Sequence, residues 1–274
     1  MAVDFTQGYA SKWRVDMIDA ATWESRGVLG GVGSAEVDRD CTDAAPMLET
    51  ASMEATLPAS EPFAPGWYRI VMEAEQGTHS QAEPIATLWF EATGGTYDKG
   101  YRTDSLQGRS VLWQAAETPI GDGMYAPKGA DGALWCSERL RSCIDAPVSV
   151  SGGFEVAEHV VFDLGASVLE AVWAVLRANG WCMQVDGRGE VAIIPLPGKP
   201  ALSIDREGAA IMQPQVSYRD GSLSYTREYA EGVYPLSLVY GAVPERGLDG
   251  TYRVQTQKLT CGRGVMIEES VTWA

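Results

Sequence analysis

Between Phe162 and Pro195, Val168, Leu169, Val172, Val175 and Leu176 recur at helical spacing, an apolar stripe wide enough to cover one helix face. Ser167 and Glu170 stand three apart, the spacing of a capping box that occupies free backbone N–H groups in the first turn. Asn179-Gly180 follows, two residues that tolerate a left-handed C-terminal cap. Beyond it Trp181, Met183 and Val185 alternate with Cys182, Gln184 and Asp186. Asp186-Gly187-Arg188-Gly189 predicts a turn, and Val191 to Ile194 a returning strand. The pattern predicts a helix at Ser167 followed by one hairpin.

The remainder of the chain reads mainly as strands. Period-two alternation marks Trp13 to Asp19, the run to Asp40 after the glycine-rich turn at Gly30 to Gly33, Ser52 to Leu57, Trp67 to Glu73 and Ile85 to Thr93. Residues 94–166 change character. A short helix is predicted over Ser110 to Glu117, a glycine-rich loop over Pro119 to Asp131, and a second helix from about Asp131 to Cys143, with Ala133, Cys136, Leu140 and Cys143 on one side. Val156 to Asp163 reads as an edge strand. After residue 196 strand patterns return at Leu202 to Ile204, Gly208 to Val216, Ser222 to Tyr229, Pro235 to Tyr240, Thr251 to Gln257 and Gly264 to Trp273. The predicted class is α+β and β-rich, in the order β-rich, α/β, β-rich, and the five strands before residue 94 suggest a small barrel or sandwich. The predicted boundaries are 1–93, 94–200 with the helix-hairpin at 167–195, and 201–274. The last part is free to take strands from the first.

Composition narrows the chemistry. The 274 residues, 45% of them hydrophobic, suffice for a sizeable core, and 30 glycines favour short strands and turns. With 37 acidic against 21 basic side chains the net charge is -16, and no basic stripe is present to displace counterions from a phosphate backbone. Five cysteines without a CxxC pair read as scattered thiols. No apolar run reaches membrane-spanning length, and no secretory signal is expected. The two histidines, His79 and His159, belong to no metal-ligand spacing. There is no GxSxG elbow and no phosphate loop, so no catalytic residue, metal or cofactor is expected. Asp38, Asp40 and Asp43 read as a solvated face.

Four stretches carry a resemblance: WRVDMIDAATWESRGVLGGVGSAEVDRDCTDAAPMLETASMEATLP at 13–58, IATLWFEATGGTYDKGYRTDSLQGRSVLWQAAE at 85–117, the helix-hairpin with its GW...DG.G...I.P ending at 167–195, and SYTREYAEGVYPLSLVYG at 224–241. In this order they resemble the N-terminal part of the baseplate hub, or tail-associated, proteins of tailed phages and prophages. The resemblance implies a structural virion protein at the tail tip, present in the host cytoplasm before assembly. It implies two small β-barrel-like domains per subunit with an intervening α/β section, in a trimeric ring of pseudo-sixfold shape that closes the tail tube, partnered by itself and by other tail or baseplate proteins, with DNA passing through unbound. No peptidase or lysozyme segment is found, so a structural hub is expected rather than an enzyme.

Two strand regions are expected at the subunit interface, carrying Val32, Val37, Asp38 and Asp40, and Leu236, Leu238 and Tyr240, as edges a neighbour pairs or packs against. The residues leave other readings open: a distal-tail or tube-completion protein, a cell-wall hydrolase, or a carbohydrate-binding module that stacks glycans on Trp23, Tyr97 and Tyr101.

Overall fold

The computed structural model describes residue 3 and residues 9–42, 45–204, 212–217, 222–230, 232–244 and 248–274. Asp43 and the first residues of the strand expected from Gly208 lie outside the described residues. The first part is a run of strands: β1 (Ala10–Ile18), β2 (Ser25–Leu29), β3 (Val32–Thr42), β4 (Ala45–Pro58), β5 (Gly66–Gln76), β6 (His79–Asp98) and β7 (Tyr101–Ser110). Alternation sets their faces. On β3, Ala35, Val37, Arg39 and Cys41 point inward while Ser34, Asp38 and Asp40 face out. The middle section holds α1 (Trp113–Glu117), β8 (Tyr125–Ala126), α2 (Gly132–Arg141), β9 (Val148–Val150), β10 (Val160–Val161), α3 (Val168–Ala178), β11 (Trp181–Val185) and β12 (Val191–Pro195). The last part holds β13 (Pro200–Ile204), β14 (Met212–Ser217), β15 (Ser222–Glu228), β16 (Leu238–Val243), β17 (Leu248–Cys261) and β18 (Val265–Trp273).

First and last parts form one sheet. Among the described residues it has 13 strands, in the order β14-β15-β18-β17-β3-β4-β7-β6-β5-β1-β2, with β16 pairing both β17 and β13. The joint is β17. One of its edges pairs with β18 along Tyr252 to Cys261. Its other edge pairs with β16 over Leu248 to Arg253 and with β3 over Thr256 to Cys261.

The expectation of two small barrels is therefore corrected: among the described residues no sheet closes. β1 does reach the β17–β18 hairpin, but through side chains. Trp13 Nε1 donates to the Gly262 carbonyl at 2.9 Å, and the Val265 N–H donates to Ser11 Oγ at 3.4 Å. No ladder joins β1 to β18, because both edges of β18 are already taken, by β17 and by β15. Periodicity fixed which residues face inward but carried no information on which strands pair.

Residues 94–110 also differ from expectation. β6 runs on to Asp98, and β7 covers Tyr101–Ser110, taking the first residue of the expected helix, of which Trp113–Glu117 is helical. The inward positions of β7 are Asp104, Leu106, Gly108 and Ser110, so a single large apolar residue marks its buried face. Gly108 is packed tightly: a Cβ there would come within 2.8 Å of the Phe90 ring. The edge strand expected over Val156 to Asp163 shrinks to the two residues of β10, paired with β8.

The helix-hairpin forms as its pattern predicts. Ser167 Oγ accepts from the Glu170 N–H at 3.2 Å, and Glu170 Oε2 accepts from the Ser167 N–H at 2.8 Å. Val168, Leu169, Val172, Val175 and Leu176 are buried together with Cys136 and Leu140 of α2. Trp67 and Ile18 of the main sheet belong to the same cluster, so the α/β section is packed onto the sheet rather than linked loosely to it. The β11–β12 turn makes the closest approach. Thr87 Oγ1 donates to the Gly187 carbonyl at 2.9 Å, Arg69 Nη2 to the Arg188 carbonyl at 3.0 Å, and Trp23 Nε1 to the same carbonyl at 2.7 Å. A Cβ on Gly187 would lie 1.8 Å from the Pro84 carbonyl oxygen, which is why the turn needs glycine there.

A buried polar network crosses the sheet at β17. Arg227 on β15 grips Glu269 on β18 with two bonds, Nε to Oε2 at 2.9 Å and Nη2 to Oε1 at 2.6 Å. Gln257 on β17 donates to Glu269 Oε1 at 2.7 Å and accepts from Arg39 Nη1 at 3.3 Å. Arg39 on β3 then binds Glu49 on β4 at 2.6 Å and the Ile85 carbonyl on β6, and lies 5.3 Å from the centre of the Tyr234 ring. All five of Arg39, Glu49, Arg227, Gln257 and Glu269 are at most 1% exposed. The two carboxylates differ. Burial pushes Glu269 upward, but the Arg227 charge with the Arg227 and Gln257 hydrogen bonds outweighs it and holds the group below its ordinary value. Burial of Glu49 outweighs the pull of Arg39, so its value is raised; its Oε2 has no hydrogen-bond partner.

Four outcomes are expected. E269Q, which strands Arg227 in the interior, should lower unfolding free energy by about 3–5 kcal/mol in urea titrations at neutral pH. A lowered folded-state value adds stability above the unfolded value of about 4.3 that is lost as pH falls through the folded one. The gap between wild type and E269Q should therefore narrow on acidification. The raised value of Glu49 works the other way: wild type should gain on E49Q as pH falls, and two gaps that narrow together would contradict opposite shifts of the two carboxylates. G187A should cost about 1–3 kcal/mol or more by forcing the hairpin turn off the sheet, seen as a lower urea midpoint.

Candidate assembly surfaces

The outer face of the sheet is polar. Ser34, Glu36, Asp38 and Asp40 on β3 lie beside Thr50, Ser52, Glu54 and Thr56 on β4, then Ser105, Gln107 and Arg109 on β7. On the other side of β3 come Thr256, Lys258 and Thr260 of β17 and Glu268 of β18. Lys258 lies opposite both Asp38 and Glu268 and pairs with Glu36 at 3.1 Å. The Glu36 hydrogen bond, then the Glu36 and Asp38 charges, push the lysine upward. Arg109 is held at 2.7 Å by Glu91. Both cations on this part of the face are thus matched, and Asp40 and Glu54 add further negative charge. Hydroxyls and carboxylates dominate, with Leu48 an exposed exception at 42%.

The residues expected at a subunit interface divide by face. Val37, Leu236 and Leu238 are buried within the chain. Asp38, Asp40 and Tyr240 are exposed, and Val32 is half-buried. β3 lies between β4 and β17, and β16 lies between β13 and β17, so neither stretch offers a free backbone edge along its ladders. Asp38 and Asp40 belong to the acidic face, and Leu236 adopts φ 72° and packs into the core cluster of the α/β section.

Trp23, Tyr97 and Tyr101 fall in two places. Trp23 takes φ 59° and packs on Trp67 at 5.2 Å, half-buried between the sheet and the β11–β12 turn. Tyr97 and Tyr101 are 68% and 56% exposed at the far end of the β6–β7 hairpin. Thr87, beside the turn that Trp23 contacts, lies ten residues before Tyr97 on β6, roughly 30 Å at strand rise. The tryptophan is apart, and the two tyrosines share the hairpin end but lie on opposite faces of it, Tyr97 opposite Arg102 and Tyr101 opposite Asp98.

The polar residues inside the sheet were not singled out by motif. Their one sequence signal is parity: Arg39 shares a face with Ala35, Val37 and Cys41, and Glu269 with Val265, Ile267 and Val271. Among the described residues no three His, Cys, Asp or Glu side chains gather as a metal would require. Burial pushes the thiols of Cys136, Cys182 and Cys261 up to about 12, leaving essentially no thiolate at neutral pH. His159 Nδ1 accepts from the Lys128 N–H at 3.1 Å, a loop-fixing contact. Among the described residues no helix is long and apolar enough to cross a membrane.

No protein-family model matches the sequence, and no curated protein matches it. Solved structures do. The 43 kDa tail protein of prophage MuSo2 from Shewanella oneidensis superimposes with a TM-score of 0.66 at 12% identity, covering 97% of each chain. The tail protein from Neisseria meningitidis MC58 gives 0.60 at 13% identity, covering 96% of each. Prophage tail protein gp18 from Listeria monocytogenes EGD-e gives 0.51 at 7%, covering 94% of each. At such identities the likeness establishes the fold, and the fold of this chain is that of phage and prophage tail proteins.

Proposed function

We propose that this chain is a structural tail-tip protein of a phage or prophage, one subunit of a trimeric baseplate hub ring that closes the tail tube and lets the genome pass. The observation that carries the reading is the likeness to prophage tail proteins over nearly the whole length of both chains. The acidic, hydroxyl-rich sheet face supports it. A wall with Asp38, Asp40, Glu54 and Glu268 exposed repels a phosphate backbone, so DNA would slide along it without sticking. In this reading residues 1–93 and 201–274 build the ring wall, and 94–200 buttresses it from outside. Symmetric closure about an axis then does the work that catalysis does in an enzyme. The partners are further copies of the chain and the adjoining tail or baseplate proteins. The location is the virion tail tip, reached from the host cytoplasm at assembly.

Light scattering and negative-stain imaging, on the protein alone and mixed with the tail proteins encoded beside it, test the ring. A threefold particle with a central opening is expected. A sixfold ring would move the chain to the distal-tail or tube-completion side of the same assembly, and a chain that stays monomeric in the mixture would overturn the reading. The charge of the wall has its own test. Wild type should leave duplex DNA unretarded in a gel, while D38K/E54K/E268K should retard it in a salt-sensitive way. Firm DNA binding by wild type would contradict a passive wall.

A further inference from the structure

Leu164 and Val161 are 90% and 78% exposed, and Tyr125, opposite Val161 on the β8–β10 ladder, is 48% exposed. They crown a ridge from Val161 to Gly165. Gly165 takes φ 83°, and the Ala166 N–H closes the turn on the Asp163 carbonyl at 3.1 Å. The ridge is anchored: Phe162 stacks on Trp135 at 5.7 Å and packs against the α/β core. A cleft lies on either side of it. One is walled by the loop from Ile120 to Tyr125, the other by the start of α3, where Ala171 and Ala174 leave room. The charged side chains lining the two clefts are Asp122, Asp163 and Glu170, all acidic.

We propose that this ridge is a docking surface for a cationic amphipathic segment of a different protein. Its apolar side chains would fill the clefts beside Leu164, and its lysines or arginines would meet Asp122, Asp163 and Glu170. Charge selects the occupant. A second copy of this chain presenting the same surface would oppose carboxylate to carboxylate, on a molecule already carrying a net charge of -16. A partner helix with one apolar face and one basic face answers both features of the site. The inference is independent of the ring reading, since it concerns the α/β section and not the sheet wall.

The test uses the full chain and two labelled synthetic helical peptides, one of leucine and lysine and one with glutamate in place of lysine, followed by fluorescence anisotropy at physiological salt. The leucine–lysine peptide should bind and its counterpart should not. L164S should weaken binding about tenfold or more, the loss of one well-buried leucine contact. D122N/D163N should weaken it and flatten its salt dependence. V28S, at an exposed apolar position on β2, should leave it unchanged. These side chains are exposed, so the folded state survives their replacement and circular dichroism confirms it. Absence of binding by the leucine–lysine peptide, equal binding by L164S, or equal binding of the glutamate peptide would overturn the proposal. Binding of the chain to phosphatidylcholine vesicles, lost in L164S, would also overturn it in favour of a lipid surface.

Discussion

The pairing of Arg227 with Glu269, extended through Gln257 to Arg39 and Glu49, is the constraint on which the rest of the sheet depends. It places full charges where water does not reach. Such a pair adds little net stability over an apolar replacement, because desolvation consumes most of the attraction. Its effect is on which arrangement is allowed. A one-residue slip of β18 against β17 would turn Glu269 to the outer face and leave Arg227 buried alone. The same holds for β3 against β4, where Arg39 and Glu49 set the register. The strands are thereby held to one alignment.

That alignment decides the architecture. β17 is long enough to pair with β16 at one end and β3 at the other while β18 follows it along the opposite edge. The N-terminal and C-terminal strands are consequently one sheet. Its curvature brings β1 to the β17–β18 hairpin, but β15 occupies the edge a closing ladder would need. The α/β section is seated by a second set of contacts, with Gly187 against Pro84 and the Trp23, Thr87 and Arg69 bonds around the β11–β12 turn. Tyr234 links the two sets. Its ring lies by Arg39, and its hydroxyl accepts from the Gly187 N–H at 3.4 Å.

Different levels of this organisation were legible to different degrees. The helix at 168–178 and its hairpin could be read residue by residue, because capping, periodicity and turn chemistry agree there. The inward face of β15 was equally plain, with Leu223, Tyr225 and Arg227 in alternation. β7 was hidden because its buried positions are Asp104, Gly108 and Ser110 beside a lone leucine, so burial was achieved by close backbone approach rather than by large side chains. The glycines of Asp186-Gly187-Arg188-Gly189 announced a turn but not that the turn docks on β6. The resemblance to phage tail hubs pointed to the fold that the solved tail proteins share, yet it carried the idea of separate barrels with it. Pairing between distant strands, such as β3 with β17, depends on tertiary partners that local pattern does not encode.

Locked at β17, the sheet should unfold as a single unit. Native-state hydrogen exchange with increasing denaturant measures this most directly, strand by strand. The amides of β3, β4, β17 and β18 are expected to converge on one opening free energy, equal to that of global unfolding. Protection of β3 and β4 that persists after β17 and β18 have opened, or the reverse, would contradict a sheet held together at β17.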